Sequence, residues 1–420
     1  MATNTTGCTS TAHKHHASAT LDEGPPPASS LGQKEASSSN PKIPLDLIAG
    51  SILPFIADRA TWNRVCCASK EICLAGKEMT PPWPNMTLNL RRGPVHHVAF
   101  SPSGSHLAFD INRFNIGQHH VVHVWDRWGK ERLLVGHTTH ISCLEYSSDE
   151  KYLAAGSEHG SIRLWHAESF HAASSKTSRE RPATTEQASS IILGRNDPVI
   201  MLSFSRTDSN LLASGGQHGR IKIWDIKDQA CIHSFHHAGC VMKSLVFAGG
   251  ADSACIAVAD TGSIIRLWRA EGSSDFAGEI IVEAAGLRKS PHHAIFSPSG
   301  SFLATTSYSD IERGQTLALY DLKTIIKTQS VKTMTMTRSV IIPDVSAASC
   351  FAVSPDSKLL AISGRMCGIR LVQTNDFSIQ RDLDTRRGSS DKAVLSAAFD
   401  PTCQVLAFGC RDGTVELRNL

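Results

Sequence analysis

Five short stretches decide the fold: VHVWD (Val122–Asp126), IRLWH (Ile162–His166), IKIWD (Ile221–Asp225), IRLWR (Ile265–Arg269) and LALYD (Leu317–Asp321). Two weaker copies follow, IRLVQ (Ile369–Gln373) and VELRN (Val415–Asn419). Aligned on the aromatic position they fall at 125, 165, 224, 268, 320, 372 and 418, a period of 40 to 59 residues. A second marker precedes each copy: FSPSG at Phe100–Gly104 and again at Phe296–Gly300, with relatives YSSDE, FSRTD, FAGGA, VSPDS and FDPTC. Between the markers stands an apolar run such as YLAAGS (Tyr152–Ser157), LLASGG (Leu211–Gly216) or LLAISG (Leu359–Gly364). Apolar runs this short, bounded by Gly, Pro, Ser and Asp, form strands rather than helices. Each unit therefore reads strand, turn, strand, tight Gly turn, strand. Units that repeat at this period stack to bury faces that none can bury alone. The expectation is an all-β, seven-bladed β-propeller over residues 86–420.

These markers resemble the WD-repeat family over roughly residues 86–420. The resemblance implies a buried hydrogen-bonded set in each blade: a His in the preceding loop, a small hydroxyl residue, an Asp in the second tight turn, and the Trp. Here Gly136-His137 matches the loop, Trp125, Trp165, Trp224 and Trp268 match the aromatic, and Asp260 and Asp412 match the turn acid. His159 and His218 replace that acid in their blades, so the set is incomplete. Asp260 and Asp412 are thus structural residues rather than catalytic ones.

The sequence stops at Leu420, directly after the third strand of unit seven, which leaves that sheet without an outer strand. Propellers avoid open edges. MTLNL (Met86–Leu90) alternates with period two just before unit one, and is predicted to pair with the Cys410–Asn419 region.

Ahead of the repeats the composition changes twice. Residues 1–41 are rich in Ser, Thr, Ala and Pro and read as a disordered tail; its His13, His15 and His16 have no ligand partners at metal-site spacing. Residues 42–79 show helical periods, with apolar residues at Ile48, Ile52, Phe55 and Ile56 and again from Trp62 to Cys73. Residues 80–85, TPPWPN, read as a stiff linker. The helical segment resembles an F-box, through Ile43, Pro44, Asp46 and Leu47, then Ile52, Leu53, Phe55 and Ile56, then Val65 and Cys66. It lacks the Trp usual a few residues later. The resemblance implies docking onto the adaptor of a cullin-type ubiquitin ligase by Ile43, Pro44, Leu47, Ile52, Leu53, Phe55 and Val65. The alternative is that these helices pack against the propeller.

A net charge of +3 over 420 residues argues against nucleic acid or an acidic membrane as the main partner. No run of 18 apolar residues exists and the N-terminus has no signal-peptide core, so the expected location is cytoplasm or nucleus. Twelve scattered cysteines without a C-x-x-C pair read as reduced, packed thiols. Histidine pairs such as His96-His97, His119-His120, His236-His237 and His292-His293 put one ring on each face if they lie on strands. No nucleophile, phosphate-loop or zinc motif stands in the context its chemistry needs. No catalytic residue, cofactor or metal is therefore expected. In the resembling family ligands often sit on the face made by blade-joining loops and tight turns. That face here carries Arg195, Arg288, Lys289, Arg313, Arg365 and Arg411, cations suited to an acidic or phosphorylated protein segment. Two functions stand open: substrate receptor of a ubiquitin ligase, or WD-repeat scaffold in another complex (RNA processing, trafficking or signalling).

Overall fold

The computed structural model describes residues 83–90, 93–111, 120–127, 129–168, 190–194, 197–236, 242–248, 255–260, 264–271, 275–284, 293–309, 314–322, 333–334, 336–343, 348–364, 368–383 and 393–420. The chain divides into two compact units, Met1–Pro44 and Leu45–Leu420, and every described residue lies in the second. The F-box-like positions Ile43, Pro44, Leu47, Ile52, Leu53, Phe55 and Val65, the tail and residues 169–189 all lie outside the described residues.

The described strands form seven sheets, each an antiparallel meander at its core. Blade one comprises Val98–Phe100, His106–Ile111, His120–Asp126 and Glu131–His137. Blade two comprises Ile141–Tyr146, Tyr152–Ser157, Ile162–His166 and Ser190–Leu193, and blade three Val199–Phe204, Leu211–Gly216, Arg220–Asp225 and Ala230–His236. Blades four to seven begin at Met242, His293, Ala348 and Val394. The first strand of each blade packs against the first strand of the next, and that of blade seven returns to blade one, closing a seven-membered ring. Blade four carries an extra outer strand, Thr333–Met334, which pairs parallel to Asp275–Ala284.

The core is seven separate seams rather than one centre. Each hydrophobic cluster joins two neighbouring blades: Val122, Val124, Leu153 and Trp165 between one and two, and Ile162, Leu164, Leu212 and Trp224 between two and three. Alternation along the third strand explains this. Ile162 and Leu164 face forward to blade three while Trp165 faces back to blade one. The same backward placement holds for Trp224, Trp268 and Tyr320. Second strands such as Leu211–Gly216 and Val405–Cys410 are buried at every position and read as continuous runs of apolar and small residues, while the third strands alternate and end on the aromatic.

The FSPSG turn has a backbone requirement. Its fifth residue sits in the left-handed region: Gly104 at φ 68° and Gly300 at φ 66°, but also Glu150 at 59°, Ser357 at 61° and Cys403 at 58°. In each, the fifth N–H donates to the carbonyl of the second residue, as from Ser357 to Ser354 at 2.8 Å. A side chain there costs about 1–2 kcal/mol that glycine avoids. Ser357→Gly is expected to raise unfolding free energy by about 1 kcal/mol in urea titration.

The ring closes with Met86–Asn89, which pairs antiparallel with Thr414–Asn419 in the register Met86↔Leu417 to Asn89↔Thr414. Leu88, 8% exposed, enters the blade seven–blade one seam with Val415 and Leu417.

Candidate protein-binding face

Loops that join blades and tight turns between second and third strands share one rim. At blade two, His137 ends an outer strand of blade one and is buried. Its Nδ1 lies 3.3 Å from Ser161 Oγ, which is 2.8 Å from Ser157 Oγ. The ring meets Trp165 edge-on at 5.9 Å. Burial, reinforced by Arg163, holds the imidazole down at about 4, so it is neutral at physiological pH. Of the expected set this blade therefore holds the His and hydroxyl members, with a second serine between them, while the acid is absent and Trp165 Nε1 makes no hydrogen bond. In blade three the indole does bond: Trp224 Nε1 donates to Ser214 Oγ at 2.8 Å. His159 and His218, at the acid positions, are exposed. Asp412 behaves as a turn acid: its Oδ1 accepts from Thr414 N at 3.0 Å and Thr414 Oγ1 at 2.6 Å. Trp125 packs half-buried on the blade seven–blade one seam and Trp268 is buried at 5% exposure. Asp260 closes the strand Cys255–Asp260, opposite Met242.

Of the six rim cations, Arg411 is described and exposed. Arg195, Arg288, Lys289, Arg313 and Arg365 lie outside the described residues. What motif reading missed is a group of imidazoles beside Arg411, where blades seven, one and two meet. His96 and His97 lie ahead of the first strand, not on it, so their backbone N–H groups both donate to Asp110 Oδ1, at 3.1 and 2.7 Å. Asp110 is fully buried and its Oδ2 stands 3.5 Å from His97 Nδ1. His120 pairs across the sheet with His137, and its ring lies 4.6 Å from that of His140. Among the described residues no group of three or more His, Cys, Asp or Glu is placed to hold a metal ion.

One acid lies in an inner strand. Glu145 accepts a hydrogen bond from the Phe204 N–H of blade three, and burial pushes its carboxyl up to about 8 despite nearby Arg206. The folded chain thus keeps a proton that the unfolded chain releases above the ordinary carboxylate range. Its stabilising contribution is full below about pH 4.5 and is lost as pH rises through about 8. Glu145→Gln is expected to flatten that decline, which urea midpoints at the two ends of the window check.

A family model described as "Nucleolar protein 10-like, N-terminal domain" matches residues 110–313, from blade one into blade five. A second, "WD domain, G-beta repeat", matches residues 381–419 in blades six and seven. Ribosome biogenesis protein YTM1 of Scheffersomyces stipitis is 26% identical over 36% of this chain and 29% of its own length. Periodic tryptophan protein 2 homolog of Dictyostelium discoideum is 24% identical over 53% of this chain and 22% of its own. Target of rapamycin complex subunit wat1 of Schizosaccharomyces pombe is 25% identical over 41% and 49%. The chain therefore spans half or less of the length of these relatives. The described strands from Met86 to Asn419 form a seven-bladed β-propeller, and the match of residues 381–419 to a WD repeat makes it similar to WD-repeat propellers.

Proposed function

We propose that this chain is a non-catalytic platform that holds protein partners within a multisubunit assembly, and that the assembly belongs to ribosome maturation. The observation that carries the reading is the match of residues 110–313 to the family model of nucleolar protein 10-like N-terminal domains. A relative named for ribosome biogenesis supports it, and one named as a complex subunit supports the platform role. The proposed location is accordingly the nucleus. The ligase-receptor reading rests on Ile43 to Val65, outside the described residues, and the names of these relatives favour the other class. No described helix is long and apolar enough to cross a membrane.

Purification of the full chain from cells, followed by density-gradient sedimentation, tests this. Co-sedimentation with precursor ribosomal particles is the expected result. Recovery with a cullin and its adaptor, and without ribosomal precursors, would replace it with the ligase reading.

A further inference from the structure

Turns between first and second strands lie at the opposite end of the blades from the joining loops, and two of them share one sequence. FSPSGS occurs at Phe100–Ser105 in blade one and at Phe296–Ser301 in blade five. Both copies hold their serines alike. The second and third hydroxyls are 2.7 Å apart in one and 2.6 Å in the other, and the first and second are 3.3 Å apart in both. The turns that face them from blades two and six also match. Asp149 Oδ1 accepts from Ser147 Oγ and Lys151 N at 2.8 and 3.1 Å, and Asp356 Oδ1 from Ser354 Oγ and Lys358 N at 2.6 and 3.1 Å. The two joints part at the left-handed residue. Between blades one and two it is Glu150, whose Oε1 accepts from Ser103 Oγ at 2.7 Å and lies 3.2 Å from Ser105 Oγ. Between blades five and six it is Ser357, whose hydroxyl lies 3.1 Å from Ser299 Oγ.

We propose that Ser357 is a phosphorylation site, and that its phosphate latches blade five to blade six as the Glu150 carboxylate latches blade one to blade two. Phosphoserine carries its outer oxygens the same number of bonds from Cβ as glutamate does, so from the same backbone position they reach Ser299 and Ser301. Hydrogen bonds to an ionised acceptor are stronger than those between neutral groups. Ser357 is partly exposed and Ser299 exposed, so a kinase meets this turn from solvent. The flanking charges follow the acidic joint: Lys358 Nζ stands 3.7 Å from Asp356 Oδ2, as Lys151 Nζ stands 2.9 Å from Asp149 Oδ2. Ser103, the counterpart of Ser299, is the wrong target, because a phosphate there meets the Glu150 carboxylate.

In the transfer, Ser357 Oγ attacks the γ-phosphorus of ATP held by a protein kinase. The Oγ–P bond forms as the bond from that phosphorus to the β,γ-bridging oxygen breaks, ADP leaves, and the hydroxyl proton passes to the kinase's catalytic base. The product carries a charge of about −2 near neutral pH. It ties two neighbouring blades together at one joint, and in a stacked array such a tie strengthens the interface that the two share. The inference goes beyond the platform reading and does not depend on it.

Two measurements test it. The full chain, recovered from cells with phosphatases inhibited, is digested and mapped by tandem mass spectrometry. Phosphate on Ser357 that phosphatase treatment removes is the expected result. Separately, full-length Ser357→Glu is compared with Ser357→Gln in urea titration. The glutamate chain should have a folding equilibrium constant about fivefold larger. That gain should vanish in chains that also carry Ser299→Ala and Ser301→Ala. If the alanine pair does not fold, Glu150→Gln decides: a loss of about fivefold in the joint of blades one and two supports the latch, and no loss overturns it. Unmodified Ser357 in every peptide that covers it, or phosphate on Ser299 or Ser301 in its place, overturns the proposal. So does a glutamate gain that is nil or that survives loss of both hydroxyls. A chain that sediments with its assembly yet carries no phosphate on Ser357 sinks this inference and leaves the platform reading standing.

Discussion

A chain shortened to begin at residue 91 is expected to lose cooperative folding, whereas one beginning at residue 80 keeps it. The shorter chain lacks Met86–Asn89, so Thr414–Asn419 becomes a bare sheet edge of the kind that recruits other strands. It also lacks Trp83, which is 2% exposed, sits in the same seam and donates its Nε1 to Gly104 O at 2.9 Å. In a closed ring each blade is held on two sides, so opening one seam weakens both blades that share it. Leu88→Ala isolates the strand's own share and should cost about 2–5 kcal/mol, the range for truncating a buried leucine. Urea midpoints give the second effect and sedimentation the first, as monomer turning to aggregate. A shortened chain that stays monomeric with an unchanged midpoint would show that the ring closes some other way.

How legible the molecule was varied with burial. Second strands such as Leu211–Gly216 are buried at every position, so their apolar runs, with the aromatic ends of third strands such as Arg220–Asp225, announce the blades. The closing strand was also readable, because a missing outer strand and a period-two segment point to each other. Outer strands were not. Ala230–His236 is exposed at most of its positions, so no apolar pattern marks it, and only sheet pairing fixes it. The parallel strand Thr333–Met334 was equally invisible, being two residues long. At the candidate face, Trp165 and His137 were picked out by their motif, but Ser161, which stands between His137 and Ser157, was not, since it has no counterpart in the expected set. The histidine group escaped for a different reason. His96 and His97 were weighed as a strand pair with rings on opposite faces, yet they lie in the segment ahead of the strand. Asp110 draws both of their N–H groups together, and sequence spacing does not show that contact.

Trp165 and Trp224, in neighbouring seams, are expected to respond differently to substitution because one indole N–H is bonded and the other is not. Trp165→Ala should cost about 3–5 kcal/mol, because the indole is wholly buried between blades one and two and a cavity replaces it. Trp224→Ala, in the next seam, should fall in the same range. Replacement by phenylalanine separates them. Trp165 Nε1 has no hydrogen bond to lose, so Trp165→Phe removes volume and also an unpaired buried donor. Trp224→Phe instead leaves the Ser214 hydroxyl without the indole N–H that it accepts, a loss of about 1–3 kcal/mol on top of the volume. Urea unfolding of the four variants should therefore rank Trp224→Phe as more damaging than Trp165→Phe by about 1 kcal/mol or more. A second readout concerns His137, whose imidazole is held at about 4 chiefly by burial. In Trp165→Ala the ring loses its edge-on neighbour at 5.9 Å and gains water, so its titration should move up toward the ordinary histidine range. Equal phenylalanine costs, together with an unmoved His137, would mean that the Trp224–Ser214 hydrogen bond carries no weight and that Trp165 does not shield His137.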